Sequence, residues 1–235
     1  MKLAQKERQR LVALMRAKGP HAPTLCEGWT VHDLLVHMVI RENQFTDALG
    51  MFIPRFARRL ERASEDLKSK DFFELIDRFA AGPHKYSPFR YLDKYINVAE
   101  YYIHHEDVRR AHNGVAAQEH FTADASGEGT NSFQESAPVA DTLPRKFTQE
   151  EEKELHTVLK VLAPLLVAKS EIPVILEPSG YPRMVAKDRR GVAPSGDHVI
   201  TIRGSVGEIL LFLYGRECAL VETTGDRSKL RRSKI

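Results

Sequence analysis

Apolar residues recur at helical spacing through the first half of the chain. Leu3, Leu11, Leu14 and Met15 predict an amphipathic first helix ending near Gly19, ahead of a loop that holds Pro20 and Pro23. Thr30 with Asp33 three residues later has capping-box spacing, since hydroxyl and carboxylate can each satisfy a backbone N–H left free at a helix start. A second helix is expected over residues 31–50. A third helical region runs from Pro54 toward Ala81 with a break between Ser69 and Asp71. Pro88 suits the start of a long fourth helix, for which Asn113 and Gly114 are the natural stop.

The periodicity then fades. From Val115 to Arg145 small and polar residues dominate, which marks a long loop. Thr148 and Glu151 repeat the capping-box spacing, and Leu155, Leu159, Leu162, Leu165 and Leu166 continue as a helix that Pro164 should kink. Short apolar or alternating runs at 172–176 and 198–202 read as strands. A short helix over 205–214, ending at Gly215, and a last strand at 219–222 follow. The expected class is α+β: a helical bundle over residues 1–114, a linker over 115–147, and a small α/β domain over 148–235.

Composition narrows the function classes. The 235 residues are 42% hydrophobic, enough for a sizeable core. Charged residues make up 29%, yet the net charge is only +3, so no bulk field drives the chain toward nucleic acid. Five of the eight residues from Arg227 to Lys234 are basic, and a solvated, frayed tail is the plain expectation for them. Two distant cysteines, Cys26 and Cys218, indicate no disulfide framework and fit a reducing cytoplasm. The charged first 18 residues do not read as a secretory signal, and the longest apolar stretch, 161–168, is too short to cross a bilayer. No membrane partner is expected.

The fourth helix carries the candidate chemistry. With 100° per residue and Glu100 at zero, Ile96, Ala99, Ile103 and Ala111 fall between about −100° and +20°, His104 at about +40° and Asp107 at about −20°. Glu100 therefore lies inside the apolar stripe, while Lys94, His105 and Arg109 fall on the expected solvent side. A carboxylate in an apolar stripe is costly unless paired, hydrogen-bonded or bound to a metal. Glu100 and His104, four residues apart, meet on one face, as a buried hydrogen-bonded pair or as half of a metal site. His37 lies about 60° outside the main stripe of the second helix and reads on its own as a core or partly exposed histidine.

The segment Pro23-Thr-Leu-Cys26-Glu-Gly-Trp29-Thr-Val-His-Asp-Leu-Leu-Val-His37, followed by Glu100-Tyr-Tyr-Ile-His104-His-Glu-Asp107, resembles the mycothiol-dependent maleylpyruvate isomerase family of the DinB-like superfamily. That family pairs a C-x-G-W loop and a histidine one helix later with an E-x-x-x-H motif on the last helix of a four-helix bundle. The resemblance implies that His37, Glu100 and His104 are metal ligands and that Asp107 orients His104 from behind. Residues Gly204 to Arg216, with Gly225 and Asp226, are similar to the smaller α/β domain of many members, itself related to the sterol-carrier-protein fold. Two departures, the long linker and the lack of a strict match to a substrate-recognition loop, leave the substrate open.

Three protein ligands would leave a coordination position for water or a thiol, the arrangement of a catalytic site. The resemblance implies a low-molecular-weight thiol of the mycothiol type as cosubstrate and a small electrophile as its target, in an isomerase or an S-transferase. Zinc suits two imidazoles and a carboxylate, as do nickel, iron and manganese. Arg216 is the candidate for carboxylate recognition, because a guanidinium matches a carboxylate bidentately, with a plain helix C-terminal charge as the other reading. Cys26 stands where a helix start could lower its pKa, although a small residue packed beside Trp29 is the plainer reading. The competing function is a metal-binding protein without turnover whose C-terminal domain binds a ligand or partner.

Overall fold

The computed structural model of the chain describes residues 2–43, 54–83, 94–118, 143–188 and 198–233. Six helices and a 3-10 turn at Pro54–Phe56 occupy most of it, in the order α1 Leu3–Lys18, α2 Val31–Asn43, α3 Ala57–Lys68, α4 Phe72–Ala81, α5 Lys94–Gln118 and α6 Gln149–Leu166. Then come β1 Val174–Pro178, β2 Met184–Lys187, β3 Ile200–Gly204, helix α7 Val206–Leu213, β4 Glu222–Thr224 and a 3-10 turn at Arg227–Lys229. The class is α+β. Two compact units share the chain: Met1–Leu11, Pro83–His104 and Pro144–Ile235 form the first, and Val12–Gly82 with His105–Leu143 the second.

The first unit is built on a four-stranded sheet of order β2-β1-β3-β4, with β1 and β3 parallel and both edge strands antiparallel to their neighbours. The pairings Val174 with Ile200 and Leu176 with Ile202 put branched side chains on one face. Against them pack Leu155, Val158, Leu159 and Leu162 of α6, whose spacing makes a single apolar stripe, and Ile209, Leu210 and Leu213 of α7. Val98, Ala99, Tyr102 and Ile103 of α5 join the same core. Every residue of α7 is buried. Gly207 is required in it, because an added Cβ would lie 3.0 Å from Tyr102 Cζ and closer still to the hydroxyl.

The start of α6 is tied down by charge. Glu151 Oε2 accepts from Thr148 N–H at 3.0 Å while the Thr148 hydroxyl accepts from Glu151 N–H at 3.3 Å, a complete capping box. The same carboxylate pairs with Lys6 at 3.1 Å and Arg10 at 2.9 Å, and the fully buried Glu7 receives Arg10 and Arg145. Burial alone would raise the Glu151 pKa, but the Thr148 N–H and the two cations hold it at about 2.

In the second unit α4 buries Phe72, Leu75, Ile76 and Phe79, one face at i, i+3, i+4 and i+7. Its Asp71 cap accepts from the N–H groups of Phe73 and Glu74 at 2.9 and 3.0 Å. Helix α3 gathers Leu60, Ala63 and Leu67 on one face and charge on the others, and buries Leu67 alone. Lys68 at its end reaches Asp33 of α2 at 2.6 Å, and Thr30 completes the capping box with Asp33.

Several expectations are corrected. Helix α5 runs through Asn113 and Gly114 to Gln118, so that pair does not stop it. The edge strand β2, next to Pro182, has no alternating apolar pattern to betray it. The strands expected at 172–176, 198–202 and 219–222 begin two or three residues later. The basic tail is docked, not frayed. Leu230 enters the core, Ser170 Oγ and Arg231 exchange two 3.0 Å hydrogen bonds, and Arg227 and Arg232 both pair with Glu217. The Pro88 start of the fourth helix, the Gly50 end of the second and most of the 115–145 loop lie outside the described residues.

Two outcomes are expected. Because the Glu151 pKa falls from 4.5 to about 2 on folding, its stabilisation is complete above the ordinary value and disappears as pH drops toward 2. Glu151→Gln should therefore cost on the order of 2 kcal/mol at pH 7, with the gap to wild type closing between about pH 4.5 and 2 in denaturant melts; a pH-independent gap contradicts the assignment. Gly207→Ala should destabilise by about 1–3 kcal/mol in thermal melts, and Tyr102→Phe in the same chain should recover part of it.

Candidate metal centre

Glu100 and His104 stand one turn apart on α5, with Glu100 Oε2 and His104 Nε2 at 3.4 Å. Both are buried, at 8% and 1% exposure. A lone carboxylate at that depth would be strongly destabilising, and the imidazole is its immediate partner.

The surroundings of this pair differ from the expected amphipathic helix. Every residue from Val98 to Val108 is buried, whatever its direction. His105, assigned to the solvent side by the helical wheel, is 8% exposed, whereas Ile96, assigned to the apolar stripe, is 39% exposed. A segment enclosed on all faces has no solvent side for periodicity to find. Its polar residues are satisfied by charge pairing instead: fully buried Glu106 accepts from Arg110 Nε at 2.6 Å and from Arg109 Nε at 3.1 Å, with His105 Nδ1 at 3.4 Å. The i, i+4 spacing of Glu106 and Arg110 was visible in the sequence; their burial was not.

The Cys26-Glu-Gly-Trp29 loop is held firmly before α2. Trp29 N–H donates to Cys26 O at 3.0 Å, Trp29 O accepts from Thr24 Oγ1 at 2.9 Å and Thr24 N–H at 3.2 Å, and Pro23 bridges Thr30. Gly28 sits at φ +74°, a conformation that disfavours any side chain although nothing crowds the position. The loop meets Asp107 twice: Leu25 N–H donates to its carbonyl at 3.0 Å, and the Cys26 thiol to its carboxylate at 3.3 Å. The Trp29 ring lies 5.3 Å from the half-buried His37 ring at 51°. Sequence reasoning missed both the thiol–carboxylate contact and the indole–imidazole contact, for which the C-x-G-W spacing was the available signal.

Among the described residues, candidate ligand atoms pair within each unit: Glu100 with His104 in the first, and Cys26 with Asp107 in the second. Arg216 belongs to neither pair. It is buried just beyond α7, where its guanidinium donates to Tyr214 O at 2.9 Å and its N–H caps Leu211 O at 3.1 Å.

Residues 2–94 match the family model of the mycothiol maleylpyruvate isomerase N-terminal domain. The match includes the C-x-G-W loop and His37 and stops short of Glu100. In fold, the chain is similar to two crystal structures of mycothiol-dependent maleylpyruvate isomerase, one of them of a histidine-to-alanine mutant. Their TM-scores are 0.53 and 0.51, each at 12% identity, covering 98% of this chain and 94% of the isomerase. No curated protein matches the chain. No helix among the described residues is long and apolar enough to cross a membrane.

The loop geometry is directly testable. Gly28→Ala should cost about 1 kcal/mol through its positive φ alone and shift the emission of Trp29, the single tryptophan. An unchanged spectrum and melting temperature would mean the loop relaxes freely.

Proposed function

We propose that the chain binds one divalent metal ion through His37, Glu100 and His104 and serves as a thiol-dependent isomerase. The observation that carries this reading is the buried carboxylate and imidazole of Glu100 and His104, 3.4 Å apart on one helix turn, to which the family resemblance adds His37. Two imidazoles and one carboxylate suit zinc first, and also nickel, iron or manganese. Such an ion would supply stabilisation of a thiolate at neutral pH.

The protein's own residues divide the remaining work. Glu100 brings negative charge to the ligand set, and His104 presents Nε2 beside it. Asp107, held by the Cys26 thiol and the Leu25 N–H, fixes the helix turn that follows His104. Arg216 is the candidate to receive a substrate carboxylate, for which its guanidinium would have to leave the Tyr214 carbonyl. The cosubstrate is a mycothiol-like thiol and the substrate a small electrophile such as maleylpyruvate. The thiolate sulfur bonds to an alkene carbon and the alkene electron pair moves to the conjugated carbonyl oxygen. The resulting single bond rotates, and the reverse movement expels the thiolate from the isomerised alkene.

The same reading takes the helical part as a DinB-like four-helix bundle and residues 148–235 as a sterol-carrier-protein-like domain. A thiol cosubstrate and two cysteines outside any disulfide fit the reducing cytoplasm.

Elemental analysis and turnover test the proposal together. Wild type should hold one ion per chain and isomerise maleylpyruvate only when mycothiol is present. His37→Ala and Glu100→Ala should lower metal affinity on the order of 100-fold or more. Full metal content in both variants would discard the ligand set, and a metal-loaded chain without thiol-dependent turnover would discard the isomerase.

A further inference from the structure

Trp29 is a large apolar side chain left 38% exposed on a backbone with almost no freedom. Its own N–H and C=O are both engaged inside the Thr24–Thr30 turn, and the next residue is the cap of α2, locked to Asp33 through Thr30 N–H at 2.9 Å and Thr30 Oγ1 at 2.7 Å. The loop is further fixed to α5 by Leu25 and Cys26. A rigid, partly bare indole costs little entropy to use as a contact surface, and it offers both a π face and an N–H donor. Single exposed apolar residues are common and need no function. This one differs in its neighbour: the ring lies 5.3 Å from the His37 imidazole, the side chain assigned above as a metal ligand.

We infer that Trp29 is a binding residue for the electrophile, and that its exposed indole lays a planar conjugated carboxylate beside the metal. This rests on the proposed thiol-dependent reaction for the identity of the ligand. Stacking favours flat, conjugated molecules over saturated ones of the same charge, so Trp29 also sets specificity. It makes no demand on the metal itself, whose ligands are other residues.

The test uses the metal-loaded full chain. Trp29→Ala should keep wild-type metal stoichiometry and raise KM for the electrophile of the turnover assay about tenfold with kcat changed less than about threefold, and Trp29→Phe should restore most of the loss. Because Trp29 is the only tryptophan, its emission reports binding without turnover. Cinnamate, a planar conjugated carboxylate that does not alkylate thiols, should quench it saturably, and the saturated analogue 3-phenylpropionate should bind several-fold more weakly. An unchanged KM in Trp29→Ala, or equal quenching by the two acids, overturns the inference. If wild type shows no turnover, the isomerase reading fails by itself and the two-acid titration still decides the role of Trp29.

Discussion

A buried carboxylate must have a partner, and helix α5 is organised by that requirement. Glu100, Glu106 and Asp107 lie within two turns of one another and all are buried. Each is answered differently: Glu100 by the His104 imidazole, Glu106 by the Arg109 and Arg110 guanidiniums, Asp107 by the Cys26 thiol. The three solutions have distinct chemical value. An arginine pair is saturated and closed to metals, because a guanidinium neither leaves nor deprotonates. A carboxylate facing an imidazole keeps lone pairs that a cation can take. Of the three, the Glu100 and Asp107 pairs therefore combine depth with ligand character, and the Glu106 pair does not.

The rest of the architecture supports this helix in two separate settings. Around its first half, Val98, Ala99, Tyr102 and Ile103 enter the core of the sheet-bearing unit, where Gly207 allows Tyr102 to approach α7. Around its second half, Asp107 receives the loop before α2. The chain invests polar groups as well as apolar ones in fixing α5, which is why the helix combines many buried charges with no distinct apolar face.

Much of this was legible in the sequence, for identifiable reasons. Capping signals are local, so Thr30 with Asp33 and Thr148 with Glu151 located two helix starts to the residue. The Glu100 and His104 pair followed from i, i+4 spacing. The wheel argument behind it was weaker than its result: it sent His105 to solvent and Ile96 to the interior, because it assumes one wet face and α5 has none from Val98 to Val108. Gly114 failed as a stop because a glycine is tolerated within a helix at modest cost. The tail looked frayed since its partners, Ser170, Glu171 and Glu217, are 10 or more residues away in sequence. Long-range docking of that kind leaves no periodic trace. His37 was proposed through the family resemblance, its helix alone leaving it a core or partly exposed histidine, while its neighbour Trp29 required the folded loop.

The enclosure of Val98–Val108 has a dynamic side. Amide protons in a segment buried on every face exchange with solvent only when the surrounding structure opens. Glu100 and His104 therefore sit in a stretch that opens less readily than the helix ends. Anything that binds them in the native state adds to its stability, so occupancy of the site and the folding equilibrium are linked.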